Sequence, residues 1–248
     1  MLGVPGAIVG VLITMMGFQA LTRGVEGTAY VVTGIVTTAG LAVIAWRHSL
    51  SWTDLGVGRS TWVTGILWSL GIVLVVGSVI GIAGSIPRLH HLFADDRVTE
   101  VAGAVTARRV LLDIPFGTVL IEEFAFRGVM LALVTSISGT AWAVVVTSLL
   151  FGVWHISPAL EMHDAHRSTS GPAWTTVLST VVVTALAGSV FAFFRLYTAS
   201  LFPPSALHWA GNGTGVVVGW WVHRRARAHL ADVMDEPVDA PDDPDDAV

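Results

Sequence analysis

Apolar residues along this chain run on without alternation for about the length of a bilayer crossing, then break at short polar stretches. Such runs fall at about 4–22, 28–46, 62–86, 111–136, 140–157, 173–196 and 201–222, each close to the roughly 20 residues a helix needs to traverse a bilayer. About seven spans are predicted. Membrane strands would have to close into a barrel and would alternate apolar with polar positions, which these runs do not. The predicted fold class is therefore all-α: a polytopic transmembrane helix bundle. The first run lacks the positively charged start and small-residue cleavage site of a signal peptide, and is expected to be a retained helix. Pro115, just after Asp113, predicts that the fourth helix starts there with Asp113 at its cap. Pro203 and Pro204 similarly predict an irregular start to the last helix, because proline is tolerated in a first turn and not in an interior.

Composition changes the picture in two ways. Of the 248 residues 53% are hydrophobic and only 12% charged, and the mean hydropathy is +0.71, far from a soluble domain. The net charge of −5 hides an asymmetry: residues 231–248 hold eight acids, three prolines and no arginine, while the rest holds 13 arginines against 10 acids. That acidic segment reads as a disordered tail. With no cysteine in the chain, disulfides, thiolate metal sites and cysteine nucleophiles are excluded.

Seven spans place Arg23, Arg88, Arg97, Arg108, Arg109, Arg167, Arg224, Arg225 and Arg227 on one side and Arg47, Arg59 and Arg195 on the other. This bias predicts a cytoplasmic C-terminus and an outward amino terminus. The connections at about 47–61, containing Asp54-Leu-Gly-Val-Gly58, at 87–110, with His90, His91, Asp95 and Asp96, and at 158–172 read as surface loops. Glu161-Met-His163-Asp164-Ala-His166 has metal-ligating side chains without a helical frame to fix them, and reads as a solvated loop.

Charges in the middle of an apolar span carry the candidate chemistry. Leu120-Ile-Glu-Glu-Phe-Ala-Phe-Arg-Gly-Val-Met130 places Glu122, Glu123 and Arg127 at membrane depth, where such residues pair, face a wet cavity or do chemistry. Glu123 and Arg127, at i and i+4, are expected to pair. Glu122 points about 100° round the helix, and an unpaired carboxylate in low dielectric should have the raised pKa that suits a general base. A single structural salt-bridge network is the alternative. Phe151-Gly-Val-Trp-His155 puts an aromatic and an imidazole on one helix face, and His208-Trp-Ala-Gly-Asn212 does the same for two hydrogen-bond donors that suit an oxyanion. Each pair alone could be an interhelical polar contact. Three spans contributing catalysis-competent groups at depth weigh toward chemistry.

Glu-Glu-Phe-Ala-Phe-Arg-Gly, then Phe-x-x-x-His, then His-x-x-x-Asn, in that order over about residues 110–222, resembles the CPBP family of intramembrane proteases, which includes CAAX prenyl endopeptidases and bacteriocin-processing or self-immunity proteins. Asp54-Leu-Gly resembles a short upstream signature of such chains. The resemblance implies an intramembrane endopeptidase. Glu122 would activate a water, assisted by His155; His208 and Asn212 would stabilise the oxyanion; Glu123, Arg127 and Phe151 would orient the site. Residues 1–100 would supply N-terminal helices and loops, 101–230 the catalytic core and 231–248 the tail. Metal dependence stays open, since Glu122, His155 and His208 could hold zinc with an open position. Without a His-Glu-x-x-His helix, a metal-free glutamate mechanism is preferred. A peptide or membrane-protein substrate, a lipid bilayer and no nucleic acid are the expected partners, in the cell membrane. A non-catalytic scaffold or a proton-coupled transporter is the alternative. Up-down counting puts His155 and His208 toward opposite faces, so tilt or irregular helix ends would have to bring them together.

Overall fold

The structure, a computed structural model, describes residues 3–93, 102–165 and 171–235. It is helical throughout, with no strand among the described residues. Helices α1 (Val4–Leu21), α2 (Thr28–Arg47), α3 (Trp62–Ser85), α7 (Thr140–Trp154), α8 (Ile156–Ala165), α9 (Ala173–Tyr197) and α10 (Phe202–Asp235) flank one interrupted rod. In that rod, α4 (Gly103–Arg108), α5 (Leu120–Glu123) and α6 (Leu131–Ser138) alternate with π-helical segments Arg109–Val119 and Phe124–Met130. Five helices are long and apolar enough to cross a membrane by length and composition: α1, α2, α3 with the preceding turn from Arg59, Thr140–Asp164 and α9. The two other expected crossings, the rod and α10, are helical as well and carry the polar motifs. Every residue from Ile121 to Leu131 is buried, so the rod forms the centre of the bundle.

Contacts between loops show that the helices alternate in direction. At one end Arg23 reaches Ser157 Oγ at 3.5 Å, and Arg108 donates to Thr28 Oγ1 at 3.4 Å. At the other, the Leu201 amide donates to the Gly56 carbonyl and Arg195 Nη2 to the Asp54 carbonyl, each at 2.7 Å. The stretch between α2 and α3 is thus less a surface loop than a plug: Leu55 is buried in the core, and Gly56, at φ 77°, passes so close to the Arg195 guanidinium that a Cβ would collide with it. Only glycine combines that φ with that approach. Ser51 donates from its amide at 2.8 Å and its hydroxyl at 2.7 Å to the Asp54 carboxylate, and these bonds, its hydroxyl's first, hold Asp54 below the usual carboxylate range.

The start of the rod corrects one expectation. Asp113 is not a helix cap: the helix begins at Gly103, and Pro115 lies inside it. The local register explains how. The Leu120 amide bonds to the Pro115 carbonyl, five residues back, and in that register the partner of the Val110 carbonyl would be the amide proline lacks. Trp209 of α10 supplies the substitute, its indole Nε1 donating to the Val110 carbonyl at 2.8 Å. Asp113 instead faces Arg108, 3.4 Å away. Pro203 and Pro204, as expected, occupy the first turn of α10.

The Glu161–His163–Asp164 segment is helical, as part of α8, rather than a loop; His166 lies outside the described residues. Pro87–Phe93 forms a 3-10 helix in which His90 and His91 bond to the backbone carbonyls of Gly84 and Arg88. Asp95 and Asp96 are outside the described residues. α10 continues to Asp235, into the segment expected to be tail, of which residues 236–248 are not described.

Trp209→Phe removes only the indole donor and leaves the Val110 carbonyl unpaired, so it should lower stability by about 1–3 kcal/mol, read as thermal unfolding in detergent. The Asp54 contribution has a defined sign: a depressed carboxylate stabilises above its ordinary value of about 3.9 and loses that effect as pH falls through its folded value. The protection of residues 50–57 against hydrogen exchange, relative to the intrinsic rate at each pH, should therefore fall below about pH 4 compared with pH 7, with a smaller acid step in Asp54→Asn.

Candidate active site

A carboxylate in the core requires partners, and Glu123 has two. Arg127 Nη1 donates to its Oε1 at 3.1 Å, one turn along the rod, and the same oxygen lies 2.9 Å from His208 Nδ1 on α10. Glu123 and Arg127 are 0% and 1% exposed, so neither charge is relieved by solvent. The guanidinium is also enclosed by rings: its Cζ lies 4.0 Å from the Phe151 centroid, 4.9 Å from Phe191 and 5.8 Å from Phe126. Desolvated cation–π contacts of this kind contribute about 2 kcal/mol. Gly188 on α9 makes room, because a Cβ there would sit 3.2 Å from Arg127 Nη2.

His208 is fixed by the same arrangement. An ionised carboxylate can only accept, so Nδ1 carries the proton toward Glu123 and the other ring nitrogen is oriented by it. That nitrogen, Nε2, lies 3.9 Å from Glu122 Oε2. The imidazole stacks on Phe191 with centroids 5.2 Å apart and meets the edge of Phe151 at 5.9 Å. It has little freedom to turn.

Glu122 departs from the expectation of an unpartnered carboxylate. Its Oε1 accepts a hydrogen bond from the indole Nε1 of Trp154 at 3.0 Å, while Oε2 is buried without a hydrogen bond. Trp154 and Phe191 are the site residues that sequence reasoning missed. A signal for the first existed, since an indole N–H at membrane depth must find an acceptor, and Trp154 stands beside the His155 of the second motif.

The remaining expected residues are placed less directly. His155 packs on Phe151 with centroids 4.6 Å apart, and its Nδ1 lies 2.7 Å from the Phe151 carbonyl, which can only accept. Both imidazoles thus meet at the Phe151 ring, which is how helix ends from opposite faces converge. The structure gives His155 no hydrogen bond to Glu122. Asn212 lies one turn past His208 on α10 and is exposed.

Nδ1 of His155 is committed to a backbone carbonyl and Nδ1 of His208 to Glu123, which leaves Nε2 of each ring as the nitrogen that could hold a metal. Among the described residues no three His, Asp or Glu side chains stand together as metal ligands. An apolar recess of about 580 Å³ lies beside the site, between α3, α9 and α10, lined by Leu67, Trp68, Ile72, Val75, Phe194 and Leu207. It holds no titratable group and ends at the residue before His208.

Residues 106–214 match the family described as Rce1-like, type II CAAX prenyl endopeptidase Rce1-like. The matched segment contains Glu122, Glu123, Arg127, Phe151, His155, His208 and Asn212, and it is similar to the CAAX proteases, in line with the resemblance of the ordered motifs. No curated protein and no solved structure matches the chain. The helices α1 to α3 lie outside the matched residues.

Arg127→Met leaves a buried carboxylate without its cation and should destabilise the protein by about 3–5 kcal/mol. Adding Glu123→Gln to that variant should restore part of the loss. Thermal unfolding of the single and double variants checks both signs.

Proposed function

We propose that the chain is an intramembrane endopeptidase in which Glu122 activates a water without a metal, and His208 stabilises the oxyanion. The observation that carries this reading is the approach of Glu122 Oε2 to His208 Nε2 at 3.9 Å, while the other polar atom of each group is committed to Trp154 or Glu123. A water about 2.8 Å from each atom bridges such a separation.

Charge supports the assignment of roles. Two carboxylates and one guanidinium in a low-dielectric core hold an excess of acceptors, which the His208 N–H groups help to offset. In this mechanism Glu122 acts as the carboxylate and His208 as the donor. Glu122 takes a proton as the water oxygen attacks the scissile carbonyl, and His208 Nε2–H donates to the oxygen where charge develops. Glu122 then gives its proton to the leaving amine as the C–N bond breaks, releasing a carboxylate and an amine. Asn212, by the family resemblance, supplies a second donor once substrate lies along α10. His155, by the family resemblance, assists in orienting the water.

The substrate in this reading is a peptide or a segment of a membrane protein, and the arginine asymmetry supports a cytoplasmic C-terminus. Glu122→Gln keeps the size and the acceptor for Trp154, so it should abolish cleavage of a quenched peptide library, including prenylated CAAX peptides, with an unchanged unfolding temperature. A zinc chelator should leave wild-type turnover intact; loss on chelation with recovery on adding metal would overturn the metal-free mechanism. Glu123→Gln replaces an acceptor-only carboxylate with an amide that can accept from or donate to His208 Nδ1, so the tautomer is no longer fixed and kcat should fall about 100-fold or more. Equal turnover by Glu122→Gln and wild type would sink the proposal.

A further inference from the structure

A carboxylate on a side chain as flexible as glutamate has two equivalent oxygens, and either can be presented as the base. At Glu122 they are not equivalent. Oε1 takes the indole hydrogen bond from Trp154 at 3.0 Å, and Oε2 is the buried oxygen left facing His208 Nε2 at 3.9 Å. The indole suits such a role because it is a donor only, has no acceptor atom and does not ionise, so it holds the carboxylate without competing for its proton. Trp154 is itself held. It is the last residue of α7, its carbonyl accepts from Gln19 Nε2 of α1 at 3.2 Å, and its ring packs on Phe126 with centroids 6.3 Å apart.

We infer that Trp154 is a positioning residue for the base: its indole N–H holds Glu122 Oε1 so that Oε2 is presented to His208 Nε2 and the reacting water. The inference deepens the protease reading and rests on it for its catalytic consequence. It also gives α1, outside the family-matched segment, a part in the site through Gln19. A tie between α5 and α7 that served packing alone would require only the ring; positioning requires the N–H.

Replacing Trp154 in the full-length, detergent-purified chain by β-(3-benzothienyl)alanine keeps the bicyclic shape and exchanges N–H for sulfur; Trp154→Phe is the coarser companion. The first readout needs no substrate. Subtracting the infrared spectrum of Glu122→Gln isolates the Glu122 carboxylate bands, and these should shift in the benzothienyl variant because one oxygen has lost its donor. Unchanged bands overturn the inference. The second readout is cleavage of a quenched peptide probe, where kcat should fall about 10- to 100-fold in both variants with KM within about threefold. A benzothienyl variant with wild-type kcat also overturns the inference and leaves Trp154 as packing. If the wild type cleaves no probe, the protease reading has failed while the infrared comparison still decides whether Trp154 orients Glu122.

Discussion

Four groups that can carry charge, Glu122, Glu123, Arg127 and His208, share one buried site, and the need to offset charge there constrains everything around them. Removing an ion from water costs several kcal/mol even after relaxation, and the loss is offset only when partners are close and well aimed. Glu123 meets the requirement with one oxygen, which takes both the 3.1 Å contact from Arg127 and the 2.9 Å contact from His208. That shared acceptor joins the central rod to α10. Because Arg127 is also surrounded by Phe126, Phe151 and Phe191, the cation is held by ring faces as well as by its carboxylate. The cluster is therefore both a stabilising element and a rigid frame for the carboxylate beside it.

Holding α10 at the right height is a separate problem, and the backbone solves it. Proline inside a helix leaves a carbonyl without a donor, and in lipid that carbonyl has no water to turn to. The Trp209 indole answers the Val110 carbonyl at 2.8 Å, one residue after the histidine that must reach Glu123. At the opposite end of the same helix segment, the 198–201 corner is tied to the plug loop through the Leu201 amide and Arg195. His208 lies between these two anchors. A defect in the rod thus becomes a register mark for the helix that carries His208.

The sequence disclosed the class of fold and most of the site's cast, because both depend on local composition. Continuous apolar runs announce helices in lipid, and a charged triplet inside one of them announces a function. The Glu123–Arg127 pair was legible for the same reason, being one helical turn apart. What remained hidden was long-range or set by neighbouring helices. No spacing rule links Glu123 to His208 across 85 residues or Trp154 to Glu122 across 32. Pro115 misled for a related reason: the rule that proline starts helices assumes that nothing compensates an interior one, and Trp209 does. Glu161–His163 read as a loop because the α8 helix it belongs to lacks a strong apolar run.

Positioning by fixed donors also bears on how such a site works at membrane depth. Bulk water would solvate a carboxylate equally on both oxygens and would have to reorganise as charge moved, whereas donors already in place need no reorganisation. Trp154 holds the Glu122 carboxylate and Glu123 holds the His208 imidazole, and Trp154 and His208 in turn pack against aromatic rings. Glu122 Oε2 is buried without a hydrogen bond and faces His208 Nε2 at 3.9 Å. The apolar recess lined by α3, α9 and α10 ends at Leu207, the residue before His208, and carries no titratable group of its own to compete with these fixed donors.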